Sequence, residues 1–123
     1  MISLQGAFSS RGADALLTLL IFSGANALAW EDPPRPIVFE EQILPIFKEH
    51  CLECHAGESP AGGLSLQNIH SLVDGGQTGR VVTVGQSQQS YLYHLVKRGD
   101  MPRQPGRRIS DAEVETIRSW IDH

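Results

Sequence analysis

The spacing of apolar side chains predicts a protein built from short helices. The first run of apolar residues recurs at gaps of three and four and predicts a buried helix face that ends between His50 and Cys54. Pro45 falls inside this run, so we expect the helix to start near Glu40 or Glu41, where the early backbone N–H groups lack intrahelical partners in any case. The apolar positions are Ile37, Val38, Phe39, Ile43, Leu44, Ile46 and Phe47.

Glycine and serine residues mark two further helices in the middle of the chain. Residues 68–73 predict a short helix, because glycines follow at positions 75 and 76 and stop it. The next helix has Ser87 or Ser90 as its cap and ends at Gly99. Its apolar stripe consists of Tyr91, Leu92, Leu95 and Val96.

The last helix has the clearest sequence signals. Ser110 and Glu113 have the spacing of a capping box, in which each side chain binds the other residue's backbone N–H. We expect Trp120, on the apolar face that follows, to pack across the N-terminal helix. The β-branched run at residues 80–84 predicts one short extended segment, and one segment does not make a sheet. The predicted fold is therefore all-α, with three to five short helices.

The first 29 residues have the layout of a secretory signal peptide. Arg11 lies in a mostly polar lead, residues 15–22 form a short apolar run, and residues 27–29 read Ala-Leu-Ala, which fits a cleavage site. A membrane anchor would need about 20 apolar residues, and this run is shorter. We therefore expect cleavage after residue 29 and export, to the periplasm or otherwise across the cytoplasmic membrane. A linker at 30–36 and one domain at 37–123 follow.

One short motif carries the candidate chemistry. Cys51, Cys54 and His55 form the pattern Cys-x-x-Cys-His, which is the attachment signature of c-type haem. On a helical turn these three residues share one face, so both sulfurs and the imidazole can meet one flat ligand. Cys51 and Cys54 would form thioethers with the haem vinyl groups, and His55 would be the proximal ligand of the iron. The expected cofactor is one covalent haem c per chain.

Three other uses of the two cysteines stay open at this point. Cys-x-x-Cys alone also fits half of a zinc site, a thiol-disulfide redox pair or an ordinary disulfide. Zinc usually takes four Cys or His ligands, and the chain has only two cysteines. Thiol-disulfide enzymes normally carry the motif beside a βαβ pattern, which this sequence does not show. Haem attachment is therefore the favoured interpretation.

Met101 is the expected second axial ligand, because it is the only methionine outside the predicted leader. Ligation by His and Met raises the reduction potential and leaves no open iron site, which favours electron transfer over catalysis. The alternatives are that Met101 fills a gap in the core, or that His70 or His94 is the ligand. We expect His50 and His123 to be solvated.

Charge is distributed unevenly along the chain. With 10 Lys and Arg against 14 Asp and Glu, the net charge is −4, which argues against a general nucleic-acid binder. The positive residues around the predicted ligand loop form either a solvated face or a surface that attracts an acidic redox partner. Arg80 or one of these arginines would alternatively pair with a haem propionate. The residues in question are Lys97, Arg98, Arg103, Arg107 and Arg108.

These motifs, in this order, resemble the planctomycete-type cytochrome c domain, a branch of the class I c-type cytochromes. The resemblance covers residues 37–123 and implies a small all-α fold around one covalent haem. It also implies that Cys51, Cys54, His55 and Met101 occupy the family's attachment and axial positions. The residues that carry it are Ile43-Leu44-Pro45-Ile46-Phe47, Cys51-x-x-Cys54-His55, Gly62-Gly63-Leu64-Ser65-Leu66, Gly75-Gly76, Val84-Gly85, Ser90-Tyr91-Leu92, Met101-Pro102 and Trp120-Ile121-Asp122.

The sequence as a whole predicts an exported monohaem c-type cytochrome that carries single electrons between partner proteins and is not an enzyme. We expect a monomer, with membrane contact only if the leader is kept as an anchor. One alternative is a haem-bearing docking or sensing module for a neighbouring exported enzyme. A thiol-disulfide oxidoreductase that uses Cys51 and Cys54 is the third hypothesis.

Overall fold

The structure is a computed structural model and describes residues 35–123. This part of the chain contains four α-helices. Within this part there is no β-strand, and one isolated bridge joins Gly76 and Gly79. The predicted all-α fold is therefore confirmed. In chain order, the helices are α1 (Leu44–His50), α2 (Ile69–Asp74), α3 (Tyr91–Arg98) and α4 (Asp111–Asp122).

Two of the sequence predictions concern residues that lie before this part of the chain. The leader predicted at 1–29 lies outside the described residues, as do the first five positions of the linker predicted at 30–36. In the part that the structure describes, no helix has both the length and the apolar character needed to span a bilayer.

A π-helical turn, Phe39–Ile43, leads into α1. The Leu44 N–H donates to the Phe39 carbonyl, five residues back, which gives a wider turn than an α-helix has. Pro45 follows in the first turn of α1, where its missing N–H costs least. The π-helical turn occupies the predicted helix start at Glu40 or Glu41, whereas α1 itself begins later, at Leu44. The end of α1 at His50 lies within the predicted range.

Aromatic side chains join α4 to the segment before α1. The Trp120 ring lies 5.6 Å from the Phe39 ring, and Phe39 meets Phe47 edge to face with 6.0 Å between ring centroids. The predicted packing of Trp120 across the N-terminal helix is confirmed. Ile117, one turn earlier in α4, is fully buried beneath these contacts.

Polar contacts hold both ends of α4. Ser110 and Glu113 form the predicted capping box, with the Glu113 N–H donating to the Ser110 hydroxyl and the Ser110 N–H to the Glu113 carboxylate. Partial burial opposes ionisation of Glu113, but the hydrogen bonds from Ser110 and His50 outweigh it and lower the pKa of this carboxyl. At the other end, the Asp122 carboxylate accepts from both the N–H and the hydroxyl of Ser87, at 2.8 and 2.9 Å.

Ser90 precedes α3 as predicted, but its side chain does not cap the helix. Its fully buried hydroxyl donates to the Gln86 carbonyl at 2.9 Å and accepts from the Thr83 N–H at 2.9 Å. A buried backbone N–H without a hydrogen-bond partner would destabilise the fold. In the loop before α3, the Ser90 hydroxyl is the partner of the Thr83 N–H. The residues predicted as an extended run, 80–84, lie in this loop, with Val81 and Val82 buried.

Gly75 ends α2 in a tight turn that only glycine can form. Its backbone has φ of 85° and ψ of −162°, a region that residues with a Cβ essentially do not enter. A Cβ at this position would also run into the Gly79 carbonyl and lie 2.8 Å from the Arg80 Cα. Gly57 has a similar φ of 83°, yet a Cβ there would meet nothing within 4 Å.

Substitution of Gly57 and of Gly75 distinguishes the energetic cost of backbone strain from the cost of a steric clash. We expect Gly57→Ala to lower the free energy of unfolding by about 1 kcal/mol, from backbone strain alone. Gly75→Ala adds a backbone clash, so we expect a loss of about 3 kcal/mol or more. Urea denaturation of the purified variants measures both values. Equal losses would show that the turn at Gly75 is not as close as described.

Candidate functional site

An apolar cavity of about 410 Å³ lies between α1, α3 and the loops that follow them. Its volume falls within the range of about 300 to 1,000 Å³ that is typical of ligand pockets. Four of its lining residues are the predicted site residues, Cys51, Cys54, His55 and Met101. The structure therefore brings together, around one cavity, the residues that the motif and the methionine count singled out.

Backbone hydrogen bonds shape the motif at one end of the cavity. The Cys51 N–H donates to the Phe47 carbonyl at 2.8 Å and continues the path of α1 for one more residue. The His55 N–H then donates to the Cys51 carbonyl at 3.0 Å, and the Cys54 N–H to the same oxygen at 3.2 Å. These bonds close one helical turn, so the two cysteines and the histidine lie on a common side, as the spacing predicts.

A hydrogen bond to the backbone orients the His55 ring. Its Nδ1 lies 3.2 Å from the Leu64 carbonyl oxygen. Because a carbonyl can only accept, the Nδ1 atom must carry the proton, and Nε2 is then left with its lone pair. Histidines that bind metals typically have this arrangement, with one ring nitrogen donating to the backbone and the other free to ligate.

The loop that supplies Leu64 folds back onto the motif. The Ala61 N–H donates to the Cys54 carbonyl at 2.8 Å, and the Leu66 N–H to the His55 carbonyl at 2.9 Å. Both Leu64 and Leu66 line the cavity, and Leu66 is almost completely buried. Both leucines therefore lie on the cavity side of this loop.

Met101 reaches the cavity through a sharp reversal at the end of α3. Gly99 adopts a left-handed conformation with φ of 77°, which ends the helix at the predicted position. The Met101 N–H then donates to the Leu95 carbonyl at 3.3 Å, which ties the loop to the last turn of α3. This loop also contacts the motif, since the Gln104 side-chain amide lies 3.9 Å from the Cys54 sulfur.

The other histidines differ in their relation to the cavity. His70 is exposed and His94 binds the Gln88 carbonyl at 2.7 Å, and neither lines the cavity. His123 is exposed, as predicted. The prediction that His50 is solvated is wrong. Its side chain is 11% exposed, lines the cavity and contacts Glu113 of α4 at 3.3 Å.

The contact between His50 and Glu113 spans 63 positions of sequence. A contact of that kind depends on how α1 and α4 pack, so the sequence around residue 50 carries no local signal for it. Thr78 and Tyr91 also line the cavity without having been predicted to do so. The sequence signal nearest to this part of the wall is the pair of glycines at positions 75 and 76, before Thr78.

Part of the basic cluster is neutralised by acidic neighbours. Arg98 pairs with Asp100 at 2.9 Å, and Arg107 pairs with Glu53 of the motif at 2.6 Å. These pairs are exposed, so each contributes little to stability. Arg103 lines the cavity and is exposed. Of the five residues of the basic cluster, Arg103 is therefore the one that places its charge on the cavity wall.

The donor set fits a haem better than it fits zinc. The cavity wall is mostly apolar and supplies two thiols, an imidazole with a free Nε2 and a thioether, which are the attachment and axial groups of a c-type haem. In the described part of the chain, one cluster of three metal-binding side chains is found, Glu49, His50 and Glu113. It includes neither cysteine, so the motif does not form half of a zinc site there.

Burial makes Cys51 a weak acid. Desolvation, with a smaller contribution from the nearby Cys54, raises the pKa of the Cys51 thiol from 9.0 to about 11. The nucleophilic cysteine of a thiol-disulfide enzyme needs the opposite, a pKa lowered toward neutrality. The electrostatics of the site therefore disfavour the thiol-disulfide hypothesis.

Comparison with known families agrees with this chemistry. Residues 51–104 match the family model described as Planctomycete cytochrome C. The matched stretch begins at the first cysteine of the motif and includes Met101. No curated protein and no solved structure matches the chain. The predicted resemblance is confirmed for residues 51–104, whereas the domain bounds at 37 and 123 stay a prediction.

The raised pKa predicts unequal reactivity of the two thiols before any cofactor is attached. At pH 8 only about one thousandth of Cys51 would be thiolate, the form that reacts with alkylating agents. We expect iodoacetamide to label the exposed Cys54 at least ~10-fold faster than Cys51 in the haem-free chain. Peptide mass spectrometry measures both rates. In denaturing urea the difference should vanish, and faster labelling of Cys51 in the native chain would contradict the described burial.

Proposed function

We propose that this chain, in which residues 51–104 form a planctomycete-type cytochrome c domain, is a one-electron carrier with a single covalent haem. The match to this family supports a haem-binding c-type cytochrome. The bound haem would supply the chemistry, a reversible change of the iron between the ferric and ferrous states. The observation that carries the proposal is the cavity that Cys51, Cys54, His55 and Met101 line together.

Each of these residues has a distinct role in the proposal. Cys51 and Cys54 would hold the haem through two thioethers, each formed by addition of one S–H across one vinyl group, with no net oxidation or reduction. His55 donates from Nδ1 to Leu64, which supports Nε2 as the proximal ligand. Met101 is held by its backbone to α3, and its thioether sulfur would be the second protein ligand of the iron. Two protein ligands leave the iron no open position, which suits electron transfer and not catalysis.

The setting of the protein is also part of the proposal. We propose that it works outside the cytoplasm, because residues 1–29 have the layout of a signal peptide. Export also fits the chemistry, since covalent c-type haem is attached outside the cytoplasm in bacteria, where exposed thiols would otherwise oxidise. The partners would be redox proteins. Arg103, the exposed cation on the cavity wall, supports an acidic docking surface on at least one of them.

Replacement of Met101 tests the axial assignment. We expect Met101→Ala to open the sixth position, so the ferrous protein binds carbon monoxide rapidly and the reduction potential falls. The fall should be on the order of 0.1 V or more, within the ~0.8 V range that axial ligands span. Visible spectroscopy with a redox titration measures both effects. His70→Ala and His94→Ala are the controls and should change neither. An unchanged potential in Met101→Ala would assign the sixth ligand elsewhere.

Small ions of opposite charge test the basic docking surface. We expect Arg103→Glu to slow the reaction with anionic hexacyanoferrate and to speed the reaction with cationic hexaammineruthenium, each by about 3-fold or more at low salt. The ratio of the two rates, measured by stopped flow, removes any common effect of an altered potential. Lys48→Glu makes the same change in charge at an exposed position of α1 that does not line the cavity. It should change the ratio of the two rates less than Arg103→Glu does. An equal change of this ratio in both variants would show that the net charge of the protein, and not the position of Arg103, determines the two rates.

A further inference from the structure

The Met101 loop, residues 99–110 between α3 and α4, has few buried side chains. Ile109 is its only buried residue, and positions 103 and 105–108 are all exposed. Near the start of the loop, the Met101 N–H donates to the Leu95 carbonyl at 3.3 Å, which is long for a hydrogen bond. Segments with few buried apolar contacts open locally at a small cost in free energy. The middle of this loop therefore depends on polar contacts to stay in place.

Two side-chain contacts join the middle of the Met101 loop to the Cys-x-x-Cys-His motif. The Arg107 guanidinium lies 2.6 Å from the Glu53 carboxylate, and the Gln104 side-chain amide lies 3.9 Å from the Cys54 sulfur. Gln104 and Arg107 belong to one turn, because the Arg107 N–H donates to the Gln104 carbonyl at 3.3 Å. In the described part of the chain, no other side-chain hydrogen bond or ion pair links residues 101–108 to another segment.

These contacts connect the two segments that carry the proposed axial ligands, since the motif holds the proximal histidine and the loop holds Met101. Gln104 and Cys54 line the cavity, whereas Glu53 and Arg107 lie outside its lining. The ion pair therefore joins the motif and the Met101 loop on the outer side of the cavity wall. If the loop moved away from the motif, the Met101 sulfur would move with it and this ion pair would have to separate.

We propose that the ion pair between Arg107 and Glu53 is a clamp that keeps the Met101 sulfur in its axial position. The inference rests on the proposed haem attachment and on Met101 as the second axial ligand. Arg107 and Glu53 are positioning residues, because they join the loop to the motif and do not contact the iron. The clamp slows the release of Met101 and so limits the access of small external ligands to the iron.

A weak ion pair is sufficient for this role. Arg107 and Glu53 are 46% and 57% exposed, and an exposed pair contributes little to the stability of a whole domain. Release of Met101 requires only that the loop opens, which needs less free energy than global unfolding. Loss of the pair raises the population of the open loop by a factor of about 2 to 5, the range that exposed ion pairs support. The rate of ligand exchange at the iron follows that population.

The rate at which imidazole replaces Met101 in the ferric holoprotein measures the opening of the loop. Imidazole is largely uncharged at pH 8, so a change of charge on the protein has little effect on its approach. We expect Arg107→Leu to raise this rate, followed by stopped-flow absorbance, by about 2- to 5-fold. Arg108→Leu removes the same charge from the next residue, which is exposed and forms no ion pair within the described part of the chain. It should leave the rate unchanged.

Variants at Glu53 show whether the ion pair itself is responsible. Glu53→Gln breaks the pair from the side of the motif and should raise the rate as much as Arg107→Leu does. The double variant should be no faster than either single variant, because the two changes remove one interaction. Additive effects of the two changes would overturn the clamp. If Arg107→Leu cannot be prepared with haem, the comparison of Glu53→Gln with wild type decides, and an unchanged rate overturns the proposal.

Asn68→Ala controls for a general loss of stability. The Asn68 side chain accepts from the Ser71 N–H at 3.0 Å and caps α2, whose residues do not line the cavity. Loss of such a cap destabilises a fold at least as much as loss of an exposed ion pair, and it should leave the rate of imidazole binding unchanged. An equal increase in Asn68→Ala and Arg107→Leu would show that general destabilisation, and not the clamp, determines the rate.

The failure of this inference can be distinguished from the failure of the proposed function. If the wild type gains no haem in a host competent for its attachment, the proposed function fails. If it gains covalent haem but lacks the weak far-red absorption band of a sulfur ligand on ferric iron, the assignment of Met101 fails, and the clamp with it. If the band is present and Arg107→Leu and Glu53→Gln exchange as slowly as Arg108→Leu, the clamp alone is overturned.

Discussion

The fold depends on the packing of short helices and their loops around an apolar cavity. A domain of this size buries only part of its surface on folding, so its core is small to begin with. Here the place of a larger core is taken by a cavity of about 410 Å³. The hydrogen bonds that fold the 56–66 loop and the Met101 loop onto the motif hold its walls in place. A flat apolar ligand inside these walls would extend the buried core to every helix that lines them.

The sequence predicted what depends on neighbouring residues and missed what depends on packing. The capping box at Ser110, the end of α3 at Gly99 and the end of α1 at His50 each depend on residues a few positions away, and all three agree with the prediction. His50 was predicted to be solvated because it directly precedes an attachment cysteine. Its contact with Glu113 exists only because α1 and α4 meet, and no local pattern encodes that meeting.

The same limit explains the outcome for the site. The motif places three of the four predicted site residues within one helical turn, so the sequence alone brings them together. Met101 joins them from the far end of α3. The sequence pointed to it because no other methionine lay outside the predicted leader and because the family resemblance implies it. Thr78 and Tyr91 belong to a turn and a helix start with no chemical motif, and the closure of the cavity alone makes them part of the wall.

Burial of Cys51 disfavours two of the uses that two closely spaced cysteines can have. Redox exchange and zinc binding both need thiolates, and thiolates need a polar or positively charged environment. The wall around Cys51 provides the reverse, since desolvation raises the pKa of its thiol to about 11. A thioether carries no charge, so its burial has none of the desolvation cost that a thiolate would have. The apolar surroundings that make Cys51 a poor nucleophile in the folded chain are therefore those that suit it as a point of attachment for haem.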